Sequence, residues 1–201
     1  MVLFAPHQID VHFIFGKGPI NPGLFDEYTL LVSFSTGVIV PPMVLEKVNH
    51  RAYNFHPAPP TCPGREPHHF AIYFKHKTYG VTAHHMVEKV DAGPIVGVKL
   101  FDFDYARTTP EELLQKTNEP SLSLLRELLP QMMTSKTLLP PIGIEWTGRK
   151  HTRKDFERLS FLHLGQDPES AAHVVRSFSF PGYDNIKIQI GPKVYRLRPE
   201  P

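Results

Sequence analysis

Residues 29–57 read TLLVSFSTGVIVPPMVLEKVNHRAYNFHP, and this stretch decides the fold class. Thr29–Phe34 is a short apolar run of the kind found in a strand buried on both faces. A loop at Gly37 and the Pro41-Pro42 pair follow. Met43–Val48 then reads as a short helix, and Arg51–Phe55 as a second strand that delivers Asn54 and His56. Strand, helix and strand in this order predict a parallel βαβ unit within an α/β fold. In such sheets ligands bind beyond the carboxyl ends of the strands, where Ser35–Val38 and Asn54–Pro57 fall.

Downstream, Pro57–Gly64 (PAPPTCPG) carries four prolines and a glycine and predicts a stiff loop. Arg65–Phe74 has helical spacing. Gly80–Val90 and Ile95–Phe103 are two β-patterned runs joined by a tight corner, Asp91-Ala92-Gly93-Pro94. Alternation along the first run puts Thr82, His84, Met86 and Glu88 on one face. Thr109-Pro110-Glu111-Glu112 is a capping box with proline at the first helical position. Its helix is expected to break at Pro120 and to resume with Leu124, Leu125, Leu128, Leu129 and Met132 on one stripe. That stripe reads as core, with a homodimer face as the alternative. A small second unit, 147–201, is expected after a main unit of 1–146. It holds helices at Arg153–Leu159 and Pro168–Phe178, the latter capped by Asp167, and a hairpin of Asn185–Ile190 and Lys193–Leu197.

Of the 201 residues, 41% are hydrophobic and 21% charged, so the chain can bury a core and is not disordered. The net charge of +2 divides unevenly, −2 over residues 1–146 and +4 over 147–201. A solvated surface accounts for the basic half at least as well as a phosphate ligand does, and nucleic acid is not the expected partner. Cys62 is the single cysteine, which excludes an internal disulfide and favours the cytoplasm. No apolar run approaches the ~18–20 residues of a membrane span. Met1–His7 lacks the features of a signal peptide.

Asn54-Phe55-His56-Pro57, Gly80-Val81-Thr82-Ala83-His84 and Asp91-Ala92-Gly93-Pro94 bring an amide, two imidazoles and a carboxylate to one sheet edge. Acyl transfer to an amine needs donors for a developing oxyanion and an anion that organises the departing proton. Singly, Asn54 is a turn residue, His56 a loop histidine and Asp91 a turn former; the joint pattern is what carries the chemistry. The histidine pairs His68-His69 and His84-His85 raise a metal-dependent amidohydrolase as a rival. Neighbouring histidines in a strand point to opposite faces, and neither His-Glu-x-x-His nor Cys-x-x-Cys is present, so no metal is expected.

Over Leu30–Thr109 these motifs resemble the folate-dependent formyltransferases, whose members carry Asn-x-His-Pro and a later His…Asp-x-Gly-Pro. The resemblance implies a Rossmann-like sheet with flanking helices, with 10-formyl-tetrahydrofolate as co-substrate. It makes Asn54, His56 and Asp91 the catalytic trio, with an imidazolium at His56. Thr82, His84 and Gly93 support them. Backbone around Phe34, Thr36, Gly37, Val38 and Ile39, with Glu88, Lys89 and Val90, is the implied clasp for the pterin. The layout from Gly148 on is more similar to the sugar N-formyltransferases, which implies a nucleotide-linked amino sugar as acceptor. Methionyl-tRNA formyltransferase, a formyl-tetrahydrofolate hydrolase and a non-catalytic folate- or nucleotide-binding remnant are the alternatives. The sequence departs from the family at its start, where 53 residues precede Asn54, roughly half the usual number.

Overall fold

The computed structural model describes residues 11–25 and 29–197; Met1–His7 lies outside them. It is a mixed α/β structure. Its strands are β1 (Lys17–Pro19), β2 (Leu31–Phe34), β3 (Gly37–Ile39), β4 (Ala52–His56), β5 (Thr78–His85), β6 (Ile95–Asp102), β7 (Phe161–Leu162), β8 (Ile186–Ile190) and β9 (Lys193–Leu197). The helices are α1 (Pro42–Lys47), α2 (Pro67–Tyr73), α3 (Pro110–Lys116), α4 (Asn118–Thr134), α5 (Arg153–Leu159) and α6 (Pro168–Phe178). The central sheet runs β2-β4-β5-β6. β2 and β4 are parallel across α1, the expected βαβ unit. β5 and β6 then continue the sheet antiparallel.

Period-2 alternation gives β4 two chemically distinct faces. Tyr53 and Phe55 point to one side, where they join Val81, Ala83, Val96, Leu124 and Met132 in a buried cluster. The leucine stripe of α4 is therefore core of this chain. Arg51 fixes the end of that helix by donating from Nη2 to the carbonyls of Met132 (2.9 Å) and Ser135 (2.8 Å), a cation at the negative helix terminus. Ala52 points to the other face and packs with Val44, Leu45 and Val48 around α1. Beyond Ala52 on that same face come Asn54 and His56. Helix α1 covers the first part of the face and leaves its carboxyl end to polar groups.

Several boundaries differ from expectation. Gly37 opens a strand, β3, that pairs in parallel with β1. β5 ends at His85; the Met86 N–H turns back to the Ala52 carbonyl (2.8 Å) and residues 86–94 form a loop. Met86 still packs on the Ala52 side, the face of Thr82 and His84, whereas Glu88 lies in the loop and is exposed. The helical break falls at Thr117, and Pro120 lies in the first turn of α4, where its missing N–H leaves no intrahelical bond unmade. The capping boxes of α3 (Thr109, Glu112) and α5 (Thr152, Asp155) and the Asp167 cap of α6 are all present.

In residues 147–197 a short strand, β7, joins the hairpin β8–β9 as a three-stranded sheet. Phe156, Leu162, Val174, Phe178 and Ile186 share a buried cluster with Phe70 of α2, so this region packs directly on the central part of the chain. Among the described residues, no helix is long and apolar enough to cross a membrane.

Candidate active site

Strand register assembles the site. Asn54 lies opposite His84 and His56 opposite Thr82 on the antiparallel β4–β5 pair, so all four project from one face. Strand alternation carries His85 to the other side, where it donates from Nε2 to the Leu139 carbonyl (2.9 Å). His84 donates from Nδ1 to the His85 carbonyl (2.8 Å), which leaves Nε2 facing the site. Asn54 Nδ2 then donates to that Nε2 (3.1 Å), and the assignment of the amide follows from the tautomer.

Asp91 closes the set from the loop after β5. Its Oδ1 is 3.5 Å from His84 Nε2 and 3.7 Å from His56 Nδ1, while Oδ2 accepts from the Gly64 N–H (2.9 Å). The backbone of Asp91 is left-handed, φ 46°, a conformation that aspartate visits more readily than most residues. Two residues on, Gly93 is obligatory, because a Cβ there would lie 1.9 Å from the His85 carbonyl oxygen. His56 donates from Nε2 to the Cys62 carbonyl (3.0 Å), an acceptor supplied by the proline loop. Thr82 secures the same loop by donating to the Ala58 carbonyl (2.7 Å).

Burial, which alone would raise the Asp91 pKa, is outweighed by the adjacent His84 and His56 rings and the Gly64 N–H, and the carboxyl is held below its usual range. For His56 burial wins over the attraction of Asp91, and its pKa is lowered. The expectation of a resting imidazolium is corrected accordingly: at neutral pH the ring is neutral, with Nε2–H committed to Cys62 and Nδ1 turned towards Asp91. The Cys62 thiol is pushed up to about 11 by burial and supplies no nucleophile.

Phe34 packs on Phe55 with ring centroids 5.7 Å apart, and Thr36 Oγ1 accepts from the Val38 N–H (3.2 Å). Glu88 and Lys89 are exposed. Val38 and Met86 pack against the same cluster around α1, so the segments 34–39 and 86–90 flank one apolar patch. Ile39, Val87 and Val90 are exposed beside it. Trp146, at the end of the expected main unit, stands edge-on to His56 (5.9 Å) and His84 (5.1 Å). Its distance in sequence from the motifs hid it. A cavity of about 690 Å³ lined by Phe70, Phe74, His76, Arg149 and His151 meets the catalytic cluster only at Cys62.

Among the described residues, the group of potential metal ligands whose ligand atoms lie within 4.8 Å of one another is Glu66, His68 and His69. His68 and His69 sit on α2, not in a strand, and both are buried. The His69 ring is enclosed by Phe156, Phe178 and Phe180, and Nδ1 donates to the Ser177 carbonyl (2.7 Å), a packing role that accounts for it without an ion.

The formyl transferase family model matches residues 25–129, over half of the chain. The chain belongs to the formyl transferase family. It is 29% identical over 145 residues to methionyl-tRNA formyltransferase of Listeria monocytogenes, a match covering 70% of this chain and 45% of that protein. It thus spans under half the length of the relative. Its fold is similar to a sugar N-formyltransferase from a Shewanella species (23% identity, TM-score 0.72, 88% of this chain and 71% of that one). It is also similar to an N-formyltransferase from Helicobacter canadensis solved with folinic acid and dTDP-3-aminofucose (18% identity, TM-score 0.65, 86% and 63%).

Proposed function

We propose that this chain transfers a formyl group from 10-formyl-tetrahydrofolate to a primary amine. Asn54, His56 and Asp91 do the chemistry and His84 orients Asn54. The observation that carries the reading is the convergence of these four side chains, linked by contacts of 3.1–3.7 Å, inside the family-matched region. Attack of the amine on the formyl carbon places negative charge on the former carbonyl oxygen. Asn54 carries a second Nδ2–H beyond the one given to His84, and it donates to that oxyanion, a contact worth roughly 3–4 kcal/mol. The attacking nitrogen loses its proton to Nδ1 of neutral His56, and the imidazolium so formed is stabilised by Asp91 beside it. The proton then returns to the departing folate nitrogen. No covalent intermediate on the protein is needed. Segments 34–39 and 86–90, with Ile39, Val87 and Val90 exposed, offer an apolar clasp for the pterin. We also retain the division into a catalytic unit, 1–146, and an appendage, 147–201, the latter supported by its own sheet.

For the acceptor, a nucleotide-linked amino sugar is the first reading. Its support is that the fold match to the Shewanella sugar N-formyltransferase runs over 88% of this chain and so takes in most of the appendage. The 29% identity to methionyl-tRNA formyltransferase favours methionyl-tRNA as the second. Incubation with 10-formyl-tetrahydrofolate and a panel of nucleotide amino sugars, methionyl-tRNA and no acceptor separates them. Turnover is expected with an amino sugar. Formate released without acceptor marks a hydrolase, and folate binding without any turnover refutes the reading.

A further inference from the structure

Trp146 is the single tryptophan of the chain, and it lies outside the residues 25–129 that the family model matches. Its indole N–H donates to the Gly93 carbonyl (2.9 Å), one corner away from Asp91. Its ring meets His84 at 84° and His56 at 66°. The residues that follow hold the two loops of the site together. The N–H groups of Thr147 and Gly148 approach the Pro60 carbonyl (3.3 and 3.4 Å), Lys150 Nζ donates to the Val90 carbonyl, and His151 pairs with Gly64, whose N–H binds Asp91. Gly148 packs so closely that a Cβ would lie 1.7 Å from the Thr61 carbonyl oxygen.

We propose that Trp146 is a positioning residue of the catalytic site: its N–H pins the corner carrying Asp91, and its ring screens His56 and His84 from water. This rests on the formyl-transfer reading for its kinetic consequence, but its geometric content is independent of it. Trp146→Phe keeps an aromatic screen and removes the N–H, and is expected to lower kcat about tenfold with little change in KM for folate, as loss of one hydrogen bond implies. Trp146→Leu also opens the screen. It is expected to lower kcat about a hundredfold and to move the acid limb of the rate profile up towards pH 6.5, because His56 would regain water.

The charged and titratable groups facing His56 are Asp91, His84 and Lys150, so the limb is checked in His84→Gln as well. Trp146 also supplies a readout without turnover, since a protonated imidazole quenches an adjacent indole. Fluorescence of the unmodified protein should fall as pH is lowered from 7 through the lowered pKa of His56, below 6.5, and this step should vanish when both rings that face the indole are removed, in His56→Gln combined with His84→Gln. Wild-type kcat and acid limb in both tryptophan variants would overturn the inference, as would fluorescence that is flat across that range. A fluorescence step in a chain that transfers no formyl group would leave Trp146 in its place and defeat the functional reading alone.

Discussion

Acidification from pH 7 to pH 4 is expected to destabilise the fold by roughly 3 kcal/mol through His69 alone. Its ring is 2% exposed, set against Phe156 at 5.0 Å and stacked on Phe178 at 6.0 Å. Burial lowers its pKa from 6.5 to about 4, against the opposing pull of the Ser177 carbonyl that accepts its Nδ1–H. The unfolded chain takes up the proton near pH 6.5 and the folded chain only near 4. The stability is therefore complete above pH 6.5 and drains away between those values. About 2.5 pH units at 1.36 kcal/mol each gives the figure, a large fraction of the ~5–15 kcal/mol that holds a domain folded. His68 and His56, also lowered by burial, add in the same direction. Asp91, whose pKa is lowered instead by its partners, loses its contribution only as pH falls below the ordinary carboxylate range. Urea unfolding at a series of pH values in wild type and His69→Phe is the assay, since phenylalanine suits the aromatic surroundings and cannot titrate. A urea midpoint that stays constant between pH 6.5 and 4.5, or that moves equally in both proteins, refutes the reasoning.

Asn54→Ala should lower kcat by about 10²–10³ with little loss of stability, because it removes an oxyanion donor from a half-buried position; turnover at the wild-type rate would remove Asn54 from the chemistry. The rate of wild type should rise as pH passes upward through the lowered pKa of His56, below 6.5, and stay level above it; a rate that falls between pH 7 and 8 would restore the imidazolium donor. Gly93→Ala should displace the Asp91 corner, since its Cβ would clash with the His85 carbonyl, and about a hundredfold fall in kcat is expected alongside a lower melting temperature. Treatment with EDTA should leave turnover unchanged, and a loss that Zn²⁺ restores would assign an ion to Glu66, His68 and His69.

The βαβ unit was legible because Thr29–Phe34 and Arg51–Phe55 are short and rich in β-branched and aromatic residues, and the Pro41-Pro42 pair marks a helix start between them. The members of the polar cluster were legible as residue types at a recognisable spacing. Their arrangement was not. His84 is the hinge of the cluster because it lies opposite Asn54, and cross-strand register is set by long-range pairing that no local pattern encodes. The end of β5 at His85 was equally hidden: Met86-Val87-Glu88 continues an alternating pattern, while the pairing with β6 ends at His84 opposite Ile95, where the chain leaves for the Asp91–Pro94 corner. The protonation of His56 depended on how much burial outweighs Asp91, a balance fixed by Trp146 and the proline loop together.

That balance explains why the site draws on distant parts of the chain. A neutral imidazole beside an ionised carboxylate is useful to amine chemistry only while water is kept off both, since water would restore the ring to its ordinary pKa and weaken the pull of the carboxylate. β4 and β5 can place Asn54, His56 and His84 on a face but cannot cover that face, because a sheet edge is open beyond its last residues. The cover comes from loops: Pro57–Gly64 supplies the Cys62 carbonyl and the Gly64 N–H, and the Asp91–Pro94 corner supplies the charge. Loops alone would drift, and a displacement near 1 Å is enough to cost about a hundredfold in rate. Trp146 and the five residues after it bind one loop to the other. The reactive geometry therefore belongs to the contact between β-sheet, proline loop and strap, and a change in any one of them should be felt at His56.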